Sequence, residues 1–337
     1  NFFHTHRRAF WLLIGLLAIN LLAWGWALAA FHHQAALVAA ALLAYSYGLR
    51  HAVDADHIAA IDNVARKLMQ QGQKPVAVGA FFSLGHSTIV VLACVAIAAT
   101  SLVFGNKIDW LHQYGSTIGT LVSALFLLMM ALLNTLILRD VYRRFQNVKR
   151  GKAFTEAAEI QAVQGGVMSR LFSVTFNLVN KSWQMYLVGF LFGLGFDTAT
   201  EIGLLGISTA GVSSGMSVWS ILIFPALFTS GMALIDSLDN FVMVGAYGWA
   251  FDKPVRKLYY NMTITAASVV IALFIGGLEA LGLLADKLDL QGGLWDQVGA
   301  LNEHMGSVGY AAVAIFVMIW AISVVNYRYK KYDQLTV

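Results

Sequence analysis

The chain has 337 residues, 58% of them hydrophobic and 12% charged, with a mean hydropathy of +0.68. A soluble domain carries about 25% charged residues, so this composition excludes an ordinary water-soluble fold and indicates an all-α integral membrane protein. The formal net charge of +4 would suit a nucleic-acid partner, but the basic residues are distributed as membrane-topology signals, and no nucleic-acid partner is expected.

About 20 apolar residues cross the hydrocarbon core as a helix. Runs of that length place eight transmembrane helices near residues 10–30, 36–64, 77–104, 116–138, 174–207, 218–250, 259–284 and 306–326, in a single polytopic membrane domain over 1–337. The first run lacks a small-residue cleavage site and is expected to remain as a span. Arg7 and Arg8 precede the first span, Arg66, Lys67 and Lys74 fall after the second, and Arg139, Arg143, Arg144, Lys149, Arg150, Lys152 and Arg170 after the fourth. Lys253, Arg256 and Lys257 follow the sixth, and Arg328, Lys330 and Lys331 follow the eighth, so that 18 of the 22 basic residues fall on one side. The positive-inside rule then sets both termini in the cytoplasm. Residues 139–170 read as a basic cytoplasmic loop between spans four and five, partly helical over Phe154–Val163, and 286–304 as an acidic outer loop. Cys94 is the one cysteine. It excludes an intrachain disulfide and reads as a small buried hydrophobe.

The second span contains Arg50-His-Ala-Val-Asp-Ala-Asp-His-Ile58. A charged residue near mid-bilayer costs at least about 2.5–3.5 kcal/mol, so such a cluster requires members that satisfy one another or hold a cation. Histidine and aspartate together suit a borderline divalent transition metal, and the absence of cysteine argues against Cu(I). On a straight helix His51, Asp54, His57 and Asp62 share a face about 140° wide, while Asp56 points elsewhere. That geometry nominates His51, Asp54 and His57 as ligands. Asp56 becomes a residue that orients a histidine, or a ligand if the helix deforms. The alternative is a structural network in which Arg50 pairs with an aspartate; Arg50 balancing the acids when the site is empty combines both readings.

Three further polar insertions follow. His86 lies alone in the apolar third span, about 15 Å from its inner end by helical rise. A lone histidine often serves as a satisfied core residue, but that depth favours a ligand. Asp197 and Glu201 in the fifth stretch, and Asp236 and Asp239 in the sixth, are acids one turn apart that repel unless a cation or proton lies between them. The fifth and sixth stretches each exceed a simple crossing, and glycines beside their acids (Gly193, Gly195, Gly231) fit helices broken at a binding site as well as long tilted ones. Lys181 snorkels to the headgroups, Met232 packs, and Trp11, Trp24, Trp26, Trp110, Trp219, Trp249 and Trp320 read as interfacial anchors.

Four motifs stand in order: Arg50–Ile58, Phe82-Ser-Leu-Gly-His-Ser-Thr-Ile89, Leu194-Gly-Phe-Asp-Thr-Ala-Thr-Glu201 and Gly231-Met-Ala-Leu-Ile-Asp-Ser-Leu-Asp239. Together they resemble the nickel/cobalt permease family, and within it the high-affinity nickel permeases. The hallmark, a His, four residues, then Asp-His, falls here on His51, Asp56 and His57. The resemblance covers essentially the whole chain. It implies a secondary transporter of the bacterial cytoplasmic (inner) membrane that imports Ni²⁺, and in some members Co²⁺, with no cofactor, no ATPase partner and no enzymatic activity. It carries over His51, Asp56 and His57 as required residues and His86, Asp197, Glu201, Asp236 and Asp239 as supporting ones.

Three rivals remain on the residues alone. His51 to Asp56 also matches the spacing of an intramembrane His-x4-Asp acyltransferase, where the histidine is a general base; such an enzyme needs a basic phosphate pocket, and the other motifs are acidic. A membrane subunit of an ATP-driven metal importer would need a partner ATPase, because no Gly-x-x-x-x-Gly-Lys-[Ser/Thr] segment is present. A metal sensor would bind without flux.

Overall fold

A computed structural model describes residues 2–100, 105–150, 179–194, 199–250, 254–330 and 332. Apart from one short 3-10 turn at Ser182–Gln184, the regular elements among them are all α-helices: α1 (Phe2–Phe31), α2 (Ala35–His51), α3 (Ala55–Gln70), α4 (Val78–Thr100), α5 (Gly105–Lys149), α6 (Met185–Phe192), α7 (Ala199–Ser213), α8 (Val218–Ile221), α9 (Ile223–Ala250), α10 (Pro254–Leu288), α11 (Leu294–Glu303) and α12 (Met305–Tyr329). Backbone polar groups have no water to pair with in lipid, so crossing segments close their hydrogen bonds internally as helices. Six helices are long and apolar enough to cross a membrane, and seven if the bent pair α2–α3 is one span. The protein is a multi-pass membrane protein. Its outward faces carry Leu21, Leu22, Val242, Val270, Val317 and Val325, all exposed.

Two apolar clusters build the interior. One joins α3, α4, α5, α6, α10 and α12 through Ile61, Val64, Leu68, Phe82, Leu127, Met185, Ile271 and Ile275. The other joins α1, α2, α4, α7 and α9 through Phe31, Ala44, Val90, Leu204, Phe224, Phe228 and Met232. α1 is fixed to α9 by Asn20, whose Nδ2 donates to the Ser230 carbonyl at 3.0 Å while its Oδ1 accepts from Tyr45. The histidines lie at the seam between the two clusters.

The second, fifth and sixth spans bear on the sequence expectation in different ways. The second is not one helix: α2 and α3 meet at 50° across Ala52–Asp54. In the fifth, α6 and α7 are the helices among the described residues, and Asp197 between them lies outside those residues. The sixth, α9, runs unbroken past Gly231 and Asp236, which selects the long helix over the broken one there. The basic segment 139–170 begins as the end of α5, which continues to Lys149, and Phe154–Val163 lies outside the described residues. Arg66 and Lys67, counted with a cytoplasmic loop on sequence, belong to α3 and are buried; Lys67 Nζ donates to the Val179 carbonyl at 2.9 Å.

Candidate metal centre

The site begins at the break. No proline or glycine lies between Leu49 and Asp56. α2 closes with 3-10-type bonds, Val53 N to the Arg50 carbonyl and Asp54 N to the His51 carbonyl. Asp54 then takes extended geometry (φ −63°, ψ 144°) as the residue before α3. An aspartate there ordinarily accepts from the amides of the first turn. This one does not; its Oδ2 turns back to His51 Nδ1 at 3.1 Å. Asp56 Oδ1 accepts from the His57 amide at 2.9 Å. The break is held from outside by α12, where Gly309 lies against the Val53 carbonyl so closely that a Cβ would collide with it.

The bend puts His51 at the end of α2 and His57 in the first turn of α3, on two sides of one corner. α4 brings His86 to the same point. The three rings form a triangle with centroids 4.6, 4.8 and 4.8 Å apart, and each residue offers a nitrogen within 4.8 Å of the others. All three side chains are buried, His57 completely. Phe82 packs edge-on to His57 at 4.8 Å and Phe228 tilts over His51 at 5.6 Å, so apolar rings close the sides.

Hydrogen-bond partners assign the tautomers. His51 Nδ1–H donates to Asp54, leaving the Nε2 lone pair, and His86 Nε2 lies 3.0 Å from it as the donor. His57 Nδ1–H donates to Asp236 Oδ2 at 3.3 Å, and its Nε2 is buried with no hydrogen-bond partner among the described residues. Ser83 Oγ donates to the same Asp236 oxygen. A histidine that gives one N–H to a carboxylate has the tautomer and ring orientation of a metal ligand on its other nitrogen. Two of the three rings meet that pattern, and a dication between Nε2 atoms would displace the proton shared by His51 and His86.

Of the residues nominated on sequence, the structure brings together His51, Asp54, His57, His86 and Asp236. Asp56 is half-buried at the start of α3, with one oxygen committed to its own helix. Asp239 lies one turn further along α9, part-exposed. Glu201 falls in the first turn of α7, and its side chain lies outside the described residues, as does the whole of Asp197. Arg50 is exposed and makes no ion pair among the described residues. Sequence reasoning missed Ser83 as a partner of Asp236, although it precedes His86 by three residues and so shares its face. It also missed Glu279, buried on α10, whose carboxylate accepts from Ser123 Oγ at 2.8 and 3.0 Å; a single acid near one end of an apolar run gives no spacing signal.

This geometry agrees with what the chain is similar to. The family model described as NicO, high-affinity nickel-transport protein, matches residues 37–326. The chain belongs to the high-affinity nickel-transport protein family. It is 54% identical to the high-affinity nickel transport protein of Cupriavidus necator, over 94% of this chain and 91% of that one. It is 43% identical to the high-affinity nickel-transport protein NixA of Helicobacter pylori, over 91% and 94%. The cobalt transport protein NhlF of Rhodococcus rhodochrous is 38% identical over 84% and 81%. No solved structure matches the chain. Membership makes this a nickel transporter and not an enzyme, which removes the acyltransferase reading of His51 and Asp56.

Proposed function

We propose that the protein is a secondary transporter that imports Ni²⁺, and Co²⁺ less tightly, across the bacterial cytoplasmic membrane through a site centred on His51, His57 and His86. The observation that carries this is the convergence of three buried imidazoles from α2, α3 and α4, two of them oriented by carboxylates. Asp54 and Asp236 fix the rings and supply negative charge; Asp56, Asp239, Asp197 and Glu201 serve as supporting acids of the route. Imidazole nitrogen and carboxylate oxygen replace the ion's water shell, and nickel outranks cobalt in the general affinity order for such donors. Eight spans with both termini cytoplasmic complete the topology: the seven helical crossings and the α6–α7 stretch as the eighth. A potential of 100 mV, negative inside, favours the passage of a dication by about 4.6 kcal/mol, twice the single-charge value. No ATPase partner is therefore needed.

Radiolabelled nickel uptake into proteoliposomes containing only this chain tests the reading. Potential-driven uptake without ATP, lost in H51A and H57A, is the expected result. Saturable nickel binding without uptake would make the protein a sensor, and uptake retained in both variants would remove the histidines from the route.

A further inference from the structure

From the metal centre, α4 and α9 run side by side in opposite directions toward the loop that joins α3 to α4. Ser83 of α4 donates to Asp236 Oδ2. One turn nearer the start of α4, Gly79 lies so close to the Asp236 carbonyl that a Cβ would collide with it. Just before α4, the Pro75 carbonyl accepts from Asn240 Nδ2 at 2.9 Å. Partners therefore descend through 83, 79 and 75 on one side as 236 gives way to 240 on the other. The seam leads away from the histidines, and His86 lies about 12 Å from the start of α4 by helical rise.

Asn240 is fully buried, yet only one end of its amide is used. A carbonyl can only accept, so the end that faces Pro75 is the NH₂ and the oxygen faces the other way. That oxygen has no hydrogen-bond partner among the described residues. The buried Asn20 and Asn63 differ: Tyr45 donates to the first Oδ1, and Arg66 and Asn134 donate to the second. Asp236 and Ser237 repeat the pattern of Asn240. Ser83 and His57 both donate to Asp236 Oδ2, while its buried Oδ1 has no partner among the described residues. Ser237 Oγ has none either, although Ser46, Thr88 and Thr209 each bond the carbonyl four residues before them, as helical hydroxyls commonly do. Residues 236 and 240 are one helical turn apart and share a face, with 237 beside them. A carboxylate, a hydroxyl and an amide oxygen thus occupy one buried patch of α9. Acceptors left open inside a protein call for an ion or a donor that reaches them.

We propose that Asn240 Oδ1 is a ligand for the ion in passage: with Asp236 Oδ1 it receives the dication as it leaves the three imidazoles toward the α3–α4 loop. The inference rests on the transport reading above. An ion held by nitrogens needs new donors before the old ones release it. Imidazole suits nickel, whereas carbonyl and carboxylate oxygens suit harder ions, so the oxygen pair holds nickel loosely and lets it move on. The Pro75 carbonyl fixes the amide with its oxygen turned to the seam, and a neutral amide adds a donor without a second charge that would trap a dication.

Two measurements on the purified full-length protein test the proposal: calorimetric titration with NiCl₂, and uptake at saturating nickel in proteoliposomes. N240L removes the oxygen and leaves the histidines; its Kd for nickel is expected to stay within about threefold of wild type while saturated uptake falls about tenfold, as expected for one lost contact to a charged partner. A change in Kd with saturated uptake unaltered overturns the proposal. Loss of the bond to Pro75 would also slow a protein in which Asn240 only anchors the loop, so N240C decides between ligand and anchor. It loses the same bond but offers a thiol that gives up its proton to bind metal. Nickel-loaded N240C is expected to show a thiolate-to-nickel charge-transfer absorption that nickel-loaded wild type, with its buried Cys94, lacks. Absence of that band overturns the proposal, and N240C carries the decision alone should N240L not fold. Absence of wild-type uptake would overturn the transport reading and this one with it; failure at Asn240 alone leaves the transport reading standing.

Discussion

The second and sixth spans both carry acids in the membrane, but they use them in different ways. The second is broken at Ala52–Asp54, and its histidines come from the two sides of the corner: His51 from the end of α2, His57 from the start of α3. The sixth runs without a break through its acids as α9, and contributes Asp236 as a carboxylate that points a histidine rather than as part of a bend. The break lets a short stretch of sequence, His51 to His57, bring two imidazoles to one point. The straight helix gives those nitrogens a rigid reference. The contrast teaches that donor density alone does not locate a helix break: α9 has two acids in four residues and stays continuous, because Asp236 finds Ser83 and His57 across the interface.

Removing a donor from the corner should have the largest effect. H57A takes away the buried Nε2 and leaves Asp236 facing a cavity; nickel uptake in proteoliposomes should fall by about a hundredfold or more, in line with the loss of a metal ligand held by a carboxylate. Retention of more than half of wild-type uptake would separate the corner from the transport route.

G309A attacks the corner without touching a donor. The added methyl meets the Val53 carbonyl, and overpacking of this kind costs typically about 1–3 kcal/mol. The Kd for nickel should rise by about tenfold as the two histidines lose register, while G245A, on the straight helix with open space around its Cα, should leave it unchanged. Equal effects of the two would mean that the break is not a tuned element.

D236N tests the straight helix's share. The amide keeps the shape but not the charge that fixes the His57 tautomer, and loss of such a partner typically costs about 10–100-fold in metal affinity. D54N, the equivalent change at the corner, should fall in the same range. A D236N affinity equal to wild type would make His57 self-orienting.

The smallest effect is graded rather than absolute. An imidazole that takes up a proton cannot ligate, so nickel affinity should fall as pH drops from 7 to 5. Isothermal titration in two buffers of different ionisation enthalpy should also show proton release on binding at neutral pH. A pH-independent affinity over that range would shift the donor set from imidazole to carboxylate.

Much of this was legible in the sequence. Apolar runs of spanning length and the few charges fixed the membrane class, because lipid leaves no other solution for the backbone. Histidines and acids at positions 51–57, and His86 at mid-span depth, pointed to a cluster whose members have to meet inside the bundle, because lipid penalises each of them in isolation. The corner was not legible. Helical periodicity assumes a straight axis, and on a straight axis Asp56 and His51 point apart; with no proline or glycine at 50–56, the chain gives no local signal for a bend that α12 and the His51–Asp54 contact hold in place. Nor was the burial of Arg66: a basic residue near the end of an apolar run reads as a loop charge, and only the oxygens of Asn63 and Thr265 show that it is inside. Composition and spacing decide what a chain must bury. Which buried group faces which is decided by helices distant in sequence, and here that choice belongs to α4, α9, α10 and α12.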